Sequence, residues 1–171
     1  MDTNLLLLIV LGAAALAAAA IVLARRKAHP NLARLGPAKL SQIAASKAAQ
    51  YVDQHRRSTQ EALDYTIESL RRVDRILEKN FAQNSLDAAT TERMGMYLGD
   101  TIRRLFGGQW KFNAGFGELC IELEEEGFIF PVSQIRRALE HKETGQIFSY
   151  VESIAERQRA AHKGNPLAAT A

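Results

Sequence analysis

Residues 5–24 read LLLLIVLGAAALAAAAIVLA, twenty consecutive positions without one charged or polar side chain. No other feature limits the possible folds as strongly. As a helix the run rises about 30 Å, the thickness of a bilayer hydrocarbon core. Its Leu, Ile and Val residues, at roughly −0.3 to −0.6 kcal/mol each, favour insertion by about 3–7 kcal/mol in total. A continuous helix also pairs its own backbone amides, as lipid requires. The sequence therefore predicts one N-terminal transmembrane helix anchored by side chains such as Leu5, Leu8, Leu11, Leu16, Ile21 and Leu23. A buried core helix is a poorer account, because a helix apolar on every face needs more surrounding protein than 171 residues provide. A cleaved signal peptide is the other alternative. Its usual basic start is missing from MDTN, although the Ala run offers A-x-A patterns.

Charge sets the orientation. Arg25, Arg26 and Lys27 follow the apolar run directly, and no basic side chain precedes it. The positive-inside rule keeps that flank cytoplasmic, which predicts a single-pass protein of the inner (plasma) membrane with its C-terminal domain inside. The overall charge of +3 hides an asymmetry. Residues 25–57 carry +7, residues 58–171 carry −3, and Asp2 adds −1. The basic collar suits contact with an anionic leaflet, so the lipid bilayer is the first expected partner. Nucleic acid is not expected, because the collar lacks interleaved aromatic side chains. Small residues four apart, such as Ala13 with Ala17 and Ala14 with Ala18, would allow a homodimer through the Ala-rich helix face.

Beyond the anchor (1–27) the chain reads as a basic juxtamembrane linker and helix (28–57), an α+β domain (58–159) and a disordered tail (160–171). Residues 28–37 hold two prolines and one Gly, a linker composition. Leu40, Ile43, Ala44, Ala48 and Tyr51 predict an amphipathic helix over 39–56. A second helix is expected to begin near Ser58 or Thr59, with Glu61 in its first turn and Leu63, Ile67, Leu70, Leu77 and Phe81 on its apolar face. Glu68 is expected to pair with Arg72. A third helix carries Met94, Tyr97, Leu98, Ile102 and Leu105, and ends at Gly107-Gly108. There Arg103 and Arg104 meet the negative end of the helix dipole and can pair with Asp100.

The period then changes to two. Trp110 and Phe112 alternate with Lys111 and Asn113, and Leu119, Ile121 and Leu123 alternate with Cys120, Glu122 and Glu124. A third strand follows around Ile129. NAGFG (113–117) and Glu125-Glu126-Gly127 supply the turns. Pro131 opens another helix, and a last one holds Ile147, Phe148, Val151 and Ile154. Strands grouped between helices predict helices packed on a three-stranded antiparallel sheet.

Tyr97-Leu98-Gly99-Asp100, Arg103-Arg104, Gly107-Gly108, Trp110, a hairpin, and Pro131 with Arg136-Arg137 and Leu139 make up a pattern. Over about residues 90–155 it resembles a bacterial domain family in which a Y-L-G-[DE] helix runs into G-G-x-W, strands and a proline-initiated helix. That family is uncharacterised, so the resemblance implies an α+β fold and no activity.

No catalytic or metal motif is legible. His29, His55, His141 and His162 lack metal-ligand spacing. Cys120 sits among Glu118, Glu122 and Glu124, which oppose thiolate formation, so it reads as structural. No cofactor is expected. The acidic run at 122–126 reads as a solvated hairpin tip. Trp110 reads as a core residue pinning the helix–sheet junction, with the alternative that it sits partly exposed beside Arg103 or Arg104 and anchors a partner. The expected function is a membrane-tethered, cytoplasm-facing interaction or regulatory module with a protein partner at the membrane. A membrane-bound enzyme would require groups such as Asp100, Arg103 and Glu118 to converge in a deep pocket. A secreted domain would follow from signal cleavage.

Overall fold

The computed structural model describes residues 31–59, 62–81, 86–124 and 126–164. The protein is α+β. Five α-helices, α1 (Pro37–Thr59), α2 (Ile67–Phe81), α3 (Ala88–Phe106), α4 (Pro131–His141) and α5 (Gln146–Gly164), pack on a three-stranded sheet. Its strands β1 (Gln109–Asn113), β2 (Glu118–Leu123) and β3 (Gly127–Ile129) lie in the order β1-β2-β3. Backbone packing separates a larger unit, Gly36–Lys111 with Leu119–Ala171, from a smaller one that includes Phe112–Glu118.

α1 is part of the larger unit rather than a separate stalk. Leu40, Ala44, Ala48, Tyr51 and His55 recur every three to four residues and are all buried, and their stripe faces α3. Ala44 and Ala48 on that stripe are fully buried, and Lys47 pairs with Glu92 at 2.5 Å.

α2 starts eight residues later than the capping residues of the sequence suggest. Ser58 and Thr59 end α1 instead, each hydroxyl donating to the His55 carbonyl. The start of α2 is set by Asp64 and Thr66. Asp64 accepts from the Thr66 N–H and hydroxyl, which holds its carboxyl below the usual carboxylate range. Thr66 Oγ1 then accepts from the Ser69 N–H, an N-cap bond. Leu63 is buried as expected, but from an irregular segment ahead of the helix. Glu68 pairs with Arg71 at 3.1 Å, whereas Arg72 donates to the Ala62 carbonyl.

α3 is capped by Asp87, whose side chain accepts from the Thr90 N–H at 2.7 Å. It ends where Gly107 takes a φ of 79°. Gly108 is also obligatory, since a Cβ there would lie 2.6 Å from the Glu122 carbonyl oxygen. Two further glycines inside α3 make room for its neighbours. A Cβ on Gly95 would fall 2.6 Å from the Val132 Cα, and one on Gly99 would fall 2.3 Å from Trp110 Cη2 and 2.8 Å from Pro131 Cγ. The small face of α3 therefore seats both the Trp110 ring and the first turn of α4.

β2 and β3 are antiparallel, with Ile121 opposite Ile129 and Leu123 opposite Gly127. This register buries Ile129 and leaves Phe128 exposed. Leu119, Cys120 and Ile121 are buried in succession, so both faces of the central strand are covered at its middle. Cys120 lies inside, as its structural reading requires. In the smaller unit, Asn113 Oδ1 accepts from the Gly115 and Phe116 N–H groups and Gly117 adopts a φ of 67°, closing the loop between β1 and β2.

α5 continues to Gly164, five residues beyond the end expected near Arg159. Its N-terminus is closed from a distance. The Asp74 carboxylate on α2 accepts from the Ile147 N–H at 3.0 Å and the Phe148 N–H at 2.9 Å, while Arg71 stacks over the Phe148 ring. Two buried donors thus depend on one side chain. Asp74→Ala is expected to lower folding stability by about 2–4 kcal/mol, and Asp74→Asn by less, because one acceptor oxygen remains. Denaturant unfolding followed by circular dichroism measures both. Burial raises the Asp74 pKa above its ordinary 3.8. The folded chain then holds that proton more tightly than the unfolded chain. This group's contribution to stability is full below the ordinary value and declines as pH rises through the raised one. Asp74→Asn is expected to remove that slope.

Candidate functional site

Two groupings of polar side chains among the described residues of the larger unit involve α3. The first is a buried aromatic network. Tyr97 is fully enclosed, and its hydroxyl shares a 2.6 Å hydrogen bond with Ser69 Oγ and accepts from the Tyr65 N–H at 3.1 Å. Tyr51 and Tyr65 pack against its ring at centroid distances of 5.8 and 4.9 Å. His55 stacks on Tyr51, with Nε2 3.0 Å from Thr59 Oγ1. Burial raises the pKa of Tyr51, Tyr97 and Tyr65, which keeps all three phenols protonated. Tyr65 takes a φ of 61°, rare for a bulky side chain. Its N–H bond to Tyr97 and the Arg104 guanidinium 3.7 Å above its ring hold that conformation.

Arg104 also reaches Asp100, donating from Nε to Oδ2 at 2.9 Å, while Arg103 donates from Nε and NH2 to Oδ1 at 3.0 and 2.9 Å. Both carboxylate oxygens of the buried Asp100 are thus occupied by guanidinium groups of its own helix. The cluster is a static brace across the C-terminal half of α3 rather than an acid–base pair awaiting a substrate. Glu118, the third residue required for an enzymatic reading, belongs to the smaller unit.

The second grouping lines a shallow surface groove of about 470 Å³, with Gln50, Asp53, Gln54, Arg57 and Ser58 from α1 and Arg93 from α3. The α1 residues follow helical spacing, on a polar face beside the buried stripe. Asp53 is paired with Arg56 at 3.1 Å. Arg57 and Arg93 have no ion pair among the described residues. Arg93 donates from NH2 to Thr90 Oγ1 at 3.2 Å, but its Nε is buried with no hydrogen-bond partner. Sequence reading missed this groove. The spacing of residues 50, 53, 54, 57 and 58 was visible, but its alignment with Arg93 is a tertiary fact.

Of the residues singled out from the sequence, Arg103 and Arg104 come together on Asp100. Trp110 does not join them at the surface. Its side chain is fully buried against Gly99 and Pro131, so the alternative of an exposed aromatic anchor is ruled out by packing. The anchor residues Leu5, Leu8, Leu11, Leu16, Ile21 and Leu23 and the flank Arg25, Arg26 and Lys27 lie outside the described residues. Among the described residues no helix is long and apolar enough to cross a membrane, and no group of three His, Cys, Asp or Glu side chains is placed to hold a metal ion.

Comparisons with known proteins return nothing: no family model, no curated protein and no solved structure matches this chain.

Proposed function

We propose that this protein is a single-pass, membrane-tethered module whose α+β domain faces the cytoplasm and engages a protein partner at the bilayer. One observation carries the reading. Twenty uninterrupted apolar residues end on Arg25-Arg26-Lys27, with no basic residue before them. Among the described residues the charged cluster at Asp100 is an internal brace, each carboxylate oxygen held by an arginine of the same helix. Tethering to a surface raises the local concentration of a partner in the same membrane, so modest affinity suffices for function.

The test is topological. A reporter fluorescent only in the cytoplasm, fused to the C-terminus, is expected to light up, with the product retained in membranes after alkaline extraction. A product in the soluble fraction overturns the reading. A mature N-terminus between residues 13 and 28 would show a secreted domain instead. Crosslinking in intact membranes then identifies the neighbour.

A further inference from the structure

We infer that the groove between α1 and α3 binds a phosphate-bearing anion, clamped by Arg57 and Arg93. The brace at Asp100 shows how this fold treats guanidinium groups that serve structure: Arg103 and Arg104 sit on a carboxylate, and Arg104 also on an aromatic face. Arg57 and Arg93 line one groove with no close ion pair or ring contact among the described residues, and Arg93 acts on the Asp87 carboxylate only through its longer-range field. Arg93 buries its Nε donor with nothing accepting from it. A buried donor left in that state is unfavourable, and turning the Arg93 guanidinium toward an oxyanion in the groove would give it the acceptor it lacks. The planar fork of arginine matches phosphate oxygens in pairs, and two such groups match the charge of a phosphate monoester better than that of a single carboxylate.

The remaining lining agrees with that chemistry. Gln50 and Gln54, one helical turn apart, offer neutral amide donors. The single acid, Asp53, is drawn off by Arg56, so the groove with its rim is net positive. The C-terminal end of α1 opposes an anion through its dipole, so the attraction has to come from the two guanidinium groups. The volume of about 470 Å³ suits a small phosphate ester or one lipid headgroup. The inference rests on the groove alone and stands whether or not residues 5–24 enter a membrane.

The test uses the full chain in mild detergent, with inorganic phosphate titrated by calorimetry. Saturable binding is expected, weakened at least tenfold by Arg57→Gln and by Arg93→Gln, and unchanged by Arg159→Gln at an exposed site elsewhere. Gln54→Glu leaves both arginines in place but adds a carboxylate to the lining, and it is expected to abolish binding while the circular dichroism spectrum stays unchanged. Repeating the titration with the chain in phosphatidylcholine discs, with and without phosphatidic acid, separates the two sources. Suppression by phosphatidic acid assigns the groove to a lipid headgroup, and an unaltered titration assigns it to a free ester. No binding by the folded chain, or equal weakening by Arg159→Gln, overturns the inference.

Discussion

On the proposed topology, replacing Leu11 and Leu16 together by arginine is expected to move the protein from the membrane fraction to the soluble fraction, or to leave it degraded. The apolar run favours insertion by about 3–7 kcal/mol, whereas each arginine near the middle of a membrane helix costs about 2.5–3.5 kcal/mol. Two such changes remove the whole driving force. Leu11→Ile with Leu16→Val keeps the apolar character and is expected to leave the distribution unchanged. Fractionation of cells expressing the three chains reads the result. A double-arginine chain that still resists alkaline extraction would show that something other than this segment holds the protein to membranes.

A second large effect is expected inside the domain. Trp110→Ala should cost about 3–5 kcal/mol, the usual loss for emptying the space of a large buried aromatic ring. Gly99→Ala should also destabilise, by about 1–3 kcal/mol, although a Gly-to-Ala change inside a helix normally stabilises by up to about 1 kcal/mol. The reversal arises because the added methyl would lie 2.3 Å from Trp110 Cη2 and 2.6 Å from Cζ2, and the enclosed ring has nowhere to go. In the double variant the methyl enters the vacated space. The two losses are therefore expected to combine to less than their sum, by about 1–3 kcal/mol. Urea unfolding followed by far-UV circular dichroism measures the cycle. Strict additivity would mean that Gly99 and Trp110 do not constrain one another.

That contact also explains what the sequence could and could not convey about the fold. The third helix, its Gly107 stop, the strands around Trp110 and Ile121, and the proline start of α4 were legible because each is written in local spacing or in a residue with one conformational use. The beginning of α2 was not. Ser58 and Thr59 can cap a helix that follows them or finish one that precedes them, and the choice was made by Asp64, Thr66 and the left-handed Tyr65, which tertiary contacts with Tyr97 and Arg104 hold in place. The structural reading of Cys120 agrees with its burial, but the extent of that burial was not legible. Alternation identifies one buried face, but nothing in the alternation reveals that the middle of the central strand is covered on the other as well. Asp74 offered no signal either: an acid within a helical stripe reads as a solvated residue until the N-terminus of another helix is placed against it.

The candidate groove was half legible. Gln50, Gln54 and Arg57 share a helix face on inspection, but Arg93 lies 36 positions after Arg57 and meets them only because α1 and α3 pack together. Residues that reveal a site by composition, such as clustered His, Cys or Gly-rich loops, are not the ones this groove uses.

The bond between Asp74 and the start of α5 spans 73 positions in the chain. A ribosome making this protein therefore releases α2 long before the helix that uses its carboxylate exists. Until Ile147 and Phe148 emerge, the apolar side of α2 has a charged group in its middle and no complete surface to close against. Completion of the domain waits for α5 to be synthesised, and a nascent chain stopped before Gln146 would expose Leu70, Val73 and Leu77 beside an unsatisfied acid.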